Sequence, residues 1–193
     1  MFEQFLAKYP PDTGSIPDPY AHDVVSSVRG FVEMVAMGAG KSFGRGIFRI
    51  HNEREMVRAL GLVGSMFPDF GRVSLPIAKD WLGRQFAVRI LSTRGQVGHL
   101  VLLDPGSAGA YELDSTIEEL LDVELISNPV AYLESELFSE WKASNPGIVD
   151  GAQCVSLRVP TFLGGATAMD NLEVSDEEVY WAIFGQLRGA SQH

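Results

Sequence analysis

The chain has 193 residues, 46% apolar and 21% charged, an ordinary globular composition that excludes a disordered or collagen-like chain. Its single cysteine, Cys154, excludes an internal disulfide and a zinc site built from cysteines. No basic stretch followed by an apolar run opens the chain, and the apolar stretch Phe2 to Leu6 is too short to span a bilayer. We therefore expect a cytoplasmic protein with neither a signal peptide nor a membrane anchor.

The net charge of −10 is distributed unevenly along the chain. Residues 1–103 carry 12 Lys/Arg against 9 Asp/Glu, residues 104–141 carry 10 Asp/Glu and no Lys or Arg, and residues 142–193 carry 6 Asp/Glu against 3 Lys/Arg. A negative field of this kind repels nucleic acid and attracts basic proteins. A solvated surface that aids solubility explains the same charges without any partner.

The N-terminal half begins with helical patterns. Apolar spacing predicts a helix over Met1 to Tyr9, which Pro10-Pro11 ends, and a longer helix over about Tyr20 to Met37. Four glycines between Gly38 and Gly46 indicate a loop, and Ile47 to Ile50 has the pattern of a short strand. The apolar face of the longer helix consists of Val24, Val28, Phe31, Val32 and Val35.

The central part changes from helical to strand periodicity. Asn52 with Glu55 three residues later predicts a helix start. Arg94-Gly95 suits a hairpin turn. The predicted strands are Val73 to Ala78, Gln85 to Leu91 and His99 to Leu103.

The C-terminal part returns to helices around one strand, Cys154 to Val159. Three helix starts are predicted, at the capping boxes Ser115/Glu118 and Ser175/Glu178 and at Asn128-Pro129. The helix after Pro129 is expected to continue to the break at Asn145-Pro146-Gly147. Together these elements predict an α+β fold: N-terminal helices, a central, mostly antiparallel sheet and C-terminal helices, as two lobes packed together.

Gly40-Lys41-Ser42 has part of the pattern of a phosphate-binding loop. That loop needs a glycine five residues before Gly40, where this chain has Val35, and it needs a strand before it and a helix after it. We predict the reverse order, a helix and then a strand. The sequence therefore favours a tight connection or an exposed contact loop over a nucleotide site.

The histidines do not form a recognisable catalytic set. His22-Asp23 has the form of an acid/base pair, but no Ser, Cys or second His stands at a suggestive spacing. His51 has nearby carboxylates and no further ligand pattern. We expect His99 to be structural or partly exposed, and His193 is terminal.

Other residues with chemical potential favour structural roles. The carboxylates of Glu118-Glu119 and Asp176-Glu177-Glu178 stand at predicted helix starts, where they complement the helix dipole and face water. Cys154, Trp141 and Trp181 are expected in the core or at an interface. We therefore predict a protein that is not an enzyme and carries no cofactor or metal.

The segment from Pro160 to Leu187 contains Gly164-Gly165, a short polar spacer, Asn171-Leu172-Glu173 and a closing helix. This pattern resembles the C-terminal domain of the type VI secretion immunity proteins that guard against toxic DNases. The N-terminal half resembles the GAD-like domain that precedes it in that family, through Phe2, Phe5, Leu6, Pro10-Pro11, the Gly38 to Gly46 loop and the Ile47-Phe48 strand. The resemblance implies a GAD-like domain at 1–105 and an immunity domain at 106–193. In this segment we expect Gly164-Gly165 to form a tight turn and the Asn171 side chain to hydrogen-bond to nearby backbone groups.

This resemblance implies a monomeric or one-to-one inhibitor that neutralises a cognate secreted toxin, a DNase, without chemistry of its own. A DNase carries a basic surface to hold DNA, and an acidic inhibitor covers that surface and speeds the encounter. Lys41 and Arg45 in the glycine-rich loop are a second candidate contact. The acidic candidates are Glu112, Asp114, Glu118, Glu119, Asp122, Glu124, Glu173, Asp176, Glu177 and Glu178.

Two alternatives remain open at this point. One is a small hydrolase or nucleotide-binding enzyme that uses His22-Asp23 or Gly40-Lys41-Ser42; nucleotide-dependent thermal stabilisation would support it. The other is a regulatory scaffold module that has no toxin partner.

Overall fold

The computed structural model describes residues 1–13, 17–23, 25–90, 97–147, 149 and 151–191, without the side chains of Val97 and Gly98. These residues form an α+β fold with a six-stranded antiparallel sheet, a two-stranded sheet and helices toward both ends of the chain. The predicted fold class is confirmed. Val24, the Arg94-Gly95 turn and His193 lie outside the described residues.

The large sheet is a meander in which each strand pairs with the next one along the chain. Its strands are β1 Ser42–Phe43, β2 Phe48–Ile50, β3 Ser74–Asp80, β4 Gln85–Ile90, β5 Val97–Asp104 and β6 Gly109–Leu113. The small antiparallel sheet consists of β7 Gln153–Leu157 and β8 Leu172–Asp176. The backbone N–H of Val155 in β7 donates to the carbonyl of Trp81 just after β3, which ties the two sheets together.

The helices are short apart from α3 and α9. They are α1 Glu3–Lys8, α2 Phe31–Gly38, α3 Glu53–Met66, α4 Pro68–Gly71, α5 Ile117–Glu119, α6 Leu125–Ser127, α7 Pro129–Leu133, α8 Ser135–Ser144 and α9 Glu177–Ser191. A π-helical turn, Leu120–Glu124, joins α5 to α6. Within the described residues, none of these helices is both long and apolar enough to cross a membrane.

The strand register assigns the two faces of the large sheet to different helices. Cross-strand pairing puts Phe48, Phe86 and Leu102 on one face, where the Phe5 ring of α1 lies 5.7 Å from that of Phe48. Lys79 and Gln85 project from the other face toward α3 and α9. A hydrophobic cluster of buried side chains draws on both halves of the chain, and Trp81 contacts Phe138 and Trp141 in it.

Several predicted elements are confirmed. Strands β3, β4, β5 and β7 lie where period-two patterns placed them, within two residues at each end. The Asn52/Glu55 capping box begins α3 with both of its hydrogen bonds. Cys154, Trp141 and Trp181 are buried.

The helix predicted over Tyr20 to Met37 is wrong in its first half. A 3₁₀ turn occupies Val25–Ser27, and α2 begins only at Phe31. Gly30 separates them because its backbone, at φ 88°, is left-handed and does not continue a helix. The Gly38 to Gly46 loop also contains β1, which pairs with β2 as a small hairpin.

The C-terminal boundaries differ from the prediction in three places. The first capping box forms one residue later, at Thr116/Glu119. The helix after Pro129 breaks at Glu134, whose backbone is left-handed at φ 49°. The second capping box does not form, because Ser175 is still in β8 and its Oγ bonds Ser156 Oγ at 2.7 Å.

The Gly-Gly segment takes the predicted scaffold role. Gly164 is left-handed at φ 90°, and Gly165 N donates to the Pro160 carbonyl at 3.0 Å. Asn171 bonds the backbone of Val159 through both its Oδ1 and its Nδ2. These bonds hold the connection between β7 and β8 in place.

Candidate functional site

The acidic segment 104–141 contributes carboxylates to a groove of about 700 Å³ between the β5–β6 edge and the start of α5. We call it the acidic groove and define its acidic residues as Asp114, Glu118 and Glu119. Asp114 and Glu119 line it, and Glu118 is tied to it through Arg29, which also lines it. The structure therefore brings together three of the acidic residues that the sequence suggested.

The carboxylates of the acidic groove are held by few protein groups. Glu118 Oε2 lies 2.8 Å from Arg29 Nη2, and Asp114 Oδ1 lies 3.3 Å from His99 Nδ1. The Asp114 side chain is 99% exposed and that of His99 63% exposed, so this pair is screened by water. His99 is thus partly exposed, as predicted.

Glu119 has a local structural partner but stays accessible. Its carboxylate accepts hydrogen bonds from the backbone N–H and the hydroxyl of Thr116, and these bonds lower its pKa. The side chain is exposed, so its charge faces solvent while it closes the capping box. Nearby, Ser115 Oγ is buried and has no hydrogen-bond partner among the described residues.

Other candidate carboxylates are engaged in local pairs. Glu112 of β6 pairs with Arg89 of β4 across the intervening strand β5, and Glu124 accepts from Asn128 Nδ2 at 3.0 Å. Glu173 lies 3.3 Å from Arg158 Nε. These pairs are partly exposed and have little energetic weight in water.

Asp122 is a helix cap for a distant part of the chain. Its two carboxylate oxygens accept from the backbone N–H groups of Phe2 and Phe5 at 2.9 and 3.0 Å. These amides belong to the first turn of α1, whose N–H groups lack helical partners. Because it is half-buried and occupied, Asp122 does not belong to the acidic groove.

Around the start of α9, three consecutive acidic residues have different surroundings. Asp176 Oδ1 accepts from Val179 N at 3.1 Å and so caps the helix. The Glu178 side chain is 60% exposed, with Oε1 3.9 Å from Arg58 Nε. Glu177 is only 1% exposed, so a contact with a partner protein does not fit it.

Glu177 is the centre of a buried ionic network, defined here as His51, Arg58, Lys79, Gln85 and Glu177. Its carboxylate lies 3.0 Å from Lys79 Nζ and 3.2 Å from Arg58 Nη2, and accepts from Gln85 Nε2 at 2.9 Å. Gln85 Oε1 in turn lies 2.8 Å from His51 Nε2. The network fastens α9 to β3, β4 and α3, a structural role for groups that are costly to bury alone.

Lys41 and Arg45 lie on the β1–β2 hairpin. Lys41 is half-buried and Arg45 is exposed at the tip, where its backbone at φ 67° is left-handed. The Arg45 backbone N–H donates to Asp12 Oδ1 at 2.8 Å. The Arg45 side chain is therefore exposed to solvent at the hairpin tip.

The residues of the alternative enzymatic interpretation lie in ordinary structural settings. Helix α2 precedes Gly40-Lys41-Ser42 and β1 begins at Ser42, the reverse of the order in a phosphate-binding loop. His22 is half-buried, Asp23 is exposed, and His51 is part of the buried ionic network. Among the residues that the structure describes, no three His, Cys, Asp or Glu side chains are grouped to hold a metal ion.

Sequence reasoning missed the basic residues of the acidic groove, Arg29 and His99. Arg29 follows the 3₁₀ turn and His99 lies in β5, so only the folded chain brings them to Glu118 and Asp114. No local motif marks such contacts.

No protein-family model matches this chain, and no curated protein matches it. Among solved structures, the chain is similar to the crystal structure of Atu4351 from Agrobacterium tumefaciens, with a TM-score of 0.62 and 13% sequence identity. The similarity covers 96% of this chain and 89% of that chain. At this level of identity the two chains share a fold, and the likeness carries no statement about function.

Proposed function

We propose that this chain is an inhibitor that binds a basic protein through the acidic groove, and that its partner is a secreted DNase toxin. The observation that carries the proposal is the placement of the acidic segment. Residues 104–141 contain ten Asp/Glu and no Lys or Arg. Two of those carboxylates, Asp114 and Glu119, line one groove, and a third, Glu118, pairs with Arg29 in its wall. The resemblance to type VI secretion immunity proteins supplies the class of partner.

The electrostatics of the groove suit an inhibitor of a DNA-binding enzyme. A DNase carries Lys and Arg where the phosphates of DNA bind, and that basic surface attracts an acidic protein. Such attraction raises the association rate and weakens with salt. Inhibition is then steric and electrostatic, in a one-to-one complex formed in the cytoplasm, and the inhibitor contributes no catalytic group.

The test begins with a tagged wild-type chain in its source bacterium and identification of a stoichiometric basic partner by mass spectrometry. Binding is then compared with a variant that carries Asp114→Lys, Glu118→Lys and Glu119→Gln. Glutamine at position 119 keeps a capping-box side chain at α5, so the variant alters charge more than fold. Asp122 is left unchanged because it caps α1.

A matched control carries Asp69→Lys, Glu33→Lys and Glu3→Gln, three exposed positions outside the acidic segment with the same change in net charge. We expect the groove variant to lose at least about 100-fold in affinity and most of its salt dependence, and the control to lose little. Equal losses in both variants would show that only net charge matters. Unchanged affinity of the groove variant would place the contact elsewhere, with the Arg45 hairpin as the next surface to alter.

A further inference from the structure

A second cavity, of about 510 Å³, lies away from the acidic groove. There the start of the acidic segment, at Asp104, comes close to residues 131–134 of the same segment. Asp104 at the end of β5 and Glu134 at the α7–α8 junction both line it. Arg84, Tyr111 and Tyr180 add polar groups to walls that also include leucine side chains. Mostly apolar walls with a few convergent polar groups are typical of small-ligand sites.

Arg84 has one nitrogen left for this cavity. Its Nε and Nη2 lie 2.7 and 2.6 Å from Asp80 Oδ2, and Nη2 also donates to the Tyr132 carbonyl at 2.8 Å. Nη1 donates to no group among the described residues, although the side chain is only 9% exposed. The guanidinium is therefore fixed in place, and the two N–H donors of Nη1 are unused.

The charge of the Arg84 guanidinium is already balanced. Asp80 is buried and also accepts from the backbone N–H groups of Leu82 and Arg84, so the pair is rigid. Burial raises the pKa of Asp80, while the charge and hydrogen bonds of Arg84 act to lower it. The remaining carboxylates, Asp104 and Glu134, give the cavity an excess of negative charge.

The two carboxylates that line the cavity differ in how many hydrogen bonds hold them. Asp104 accepts from Gly106 N and Ser107 Oγ at 2.8 and 2.7 Å, which fixes its orientation and leaves further acceptor positions on each oxygen. The Glu134 carboxylate has no hydrogen bond or ion pair within the described ranges of the chain. Its left-handed backbone, at φ 49°, places an acidic residue between α7 and α8 where glycine is usual.

Tyrosines and one glycine shape the rest of the cavity. Tyr111, Tyr132 and Tyr180 all line it. A Cβ added at Gly106 would lie 3.0 Å from Leu157 Cδ1, 3.1 Å from Asp104 Oδ1 and 3.2 Å from Tyr180 OH. The absence of a side chain at Gly106 therefore lets Asp104, Leu157 and Tyr180 pack close to its backbone.

We propose that this cavity binds an arginine-like group, a guanidinium held by Asp104 and Glu134 with a nearby oxygen that accepts from Arg84 Nη1. Free arginine-type molecules and an arginine side chain of another protein present the same chemistry. The site is separate from the acidic groove, so it can exist whether or not the chain is a toxin inhibitor.

The test is calorimetric titration of the purified chain with L-arginine and with L-citrulline. Citrulline has nearly the shape of arginine but lacks the guanidinium charge, so we expect it to bind at least about tenfold more weakly. Glu134→Gln removes one carboxylate without changing size and is expected to weaken arginine about tenfold. Glu136→Gln is the matched control, because Glu136 is exposed on α8 and does not line the cavity.

A second variant, Gly106→Ala, crowds Asp104, Leu157 and Tyr180 of the cavity wall without altering charge and is expected to weaken arginine binding as well. Thermal melting of each variant separates loss of binding from loss of fold. Retention of an arginine-type molecule by the chain purified from its source, detected by native mass spectrometry, would indicate a free ligand. If free arginine binds only with millimolar affinity and Glu134→Gln weakens the binding of a protein partner, the natural ligand is an arginine side chain of that partner.

Either result supports the site. The proposal is overturned if arginine gives no saturable heat, if citrulline binds as well as arginine, or if Glu134→Gln and Glu136→Gln behave alike. Loss of partner binding in the acidic-groove variant leaves the arginine titration unaffected, so failure of one proposal is distinguishable from failure of the other.

Discussion

Two neighbouring residues, Glu177 and Glu178, illustrate how differently this fold uses acidic side chains. The side chain of Glu177 is 1% exposed and is held by Lys79, Arg58 and Gln85, whereas that of Glu178 is 60% exposed. The carboxylates of the acidic groove resemble Glu178, with weak or local partners. A buried carboxylate is part of the scaffold, and an exposed one is free to meet a partner.

The burial of each carboxylate sets the expected change in the free energy of unfolding when it is removed. Removing a buried charge leaves its former partners desolvated and unpaired, which costs several kcal/mol. Removing an exposed charge costs little because water replaces the partner. Four substitutions test the contrast, from the largest expected effect on stability to the smallest.

Glu177→Ala is expected to reduce the free energy of unfolding by about 3–5 kcal/mol, because Lys79 would keep its buried charge without its carboxylate. Urea denaturation followed by circular dichroism measures the loss. Glu178→Ala is the matched control and is expected to cost under about 0.5 kcal/mol. Similar losses for the two variants would show that burial does not distinguish the energetic contribution of Glu177 from that of Glu178.

Glu55→Gln is expected to cost about 2 kcal/mol at pH 7. Burial acts to raise the pKa of Glu55, but the hydrogen bonds and charge of Arg49, with His51 Nδ1 3.9 Å away, outweigh it and lower that pKa to about 2. The stabilisation is therefore present above the unfolded pKa of about 4.5 and is lost as the pH falls toward 2. Urea denaturation of wild type and Glu55→Gln should show a smaller loss of unfolding free energy at pH 3 than at pH 7. An equal loss at both pH values would contradict a lowered pKa of Glu55 in the folded state.

Asp122→Ala is expected to cost about 1 kcal/mol, since it removes the acceptor for two N–H groups at the start of α1. Hydrogen exchange should accelerate at the Phe5 amide in particular. Asp114→Ala, at a side chain that is 99% exposed, is the control for a groove carboxylate with no capping role. If both variants leave α1 exchange unchanged, Asp122 is not the cap.

Glu118→Gln should have the smallest effect on stability, under about 0.5 kcal/mol at low salt and less at 1 M salt. Its partner Arg29 is 76% exposed, so water and ions compete for the pair. Thermal melting at the two salt concentrations measures the effect. A loss above 1 kcal/mol that persists at 1 M salt would place Glu118 with the scaffold carboxylates instead.

The sequence predicted features that depend on neighbouring residues. The Asn52/Glu55 capping box spans four consecutive residues. The alternation of apolar and polar residues that marks a strand is likewise visible within a single short stretch of sequence. The short strands β6 and β8 were not predicted, because their alternation is mixed with polar residues. The break at Glu134 was not predicted either, since glutamate seldom adopts a left-handed backbone.

Contacts between distant residues account for the rest of what sequence reasoning missed. Asp122 caps a helix that begins 119 residues earlier in the chain, at Glu3, and the rings of Trp81 and Trp141 lie 5.8 Å apart. Glu177 stands in a run of acids at a helix start, the usual setting of an exposed carboxylate, and only the sheet beneath it supplies Lys79. The Arg84 cavity likewise forms from residues that have no common motif.

The central claim, that the acidic groove neutralises a basic DNase, is tested most directly by nuclease inhibition. The partner captured by the wild-type chain is assayed for DNA cleavage with wild type, the groove variant Asp114→Lys/Glu118→Lys/Glu119→Gln, and the matched control. We predict that wild type and control abolish cleavage at one-to-one stoichiometry while the groove variant leaves it active. Full inhibition by the groove variant, or a captured partner without DNase activity, would contradict the claim.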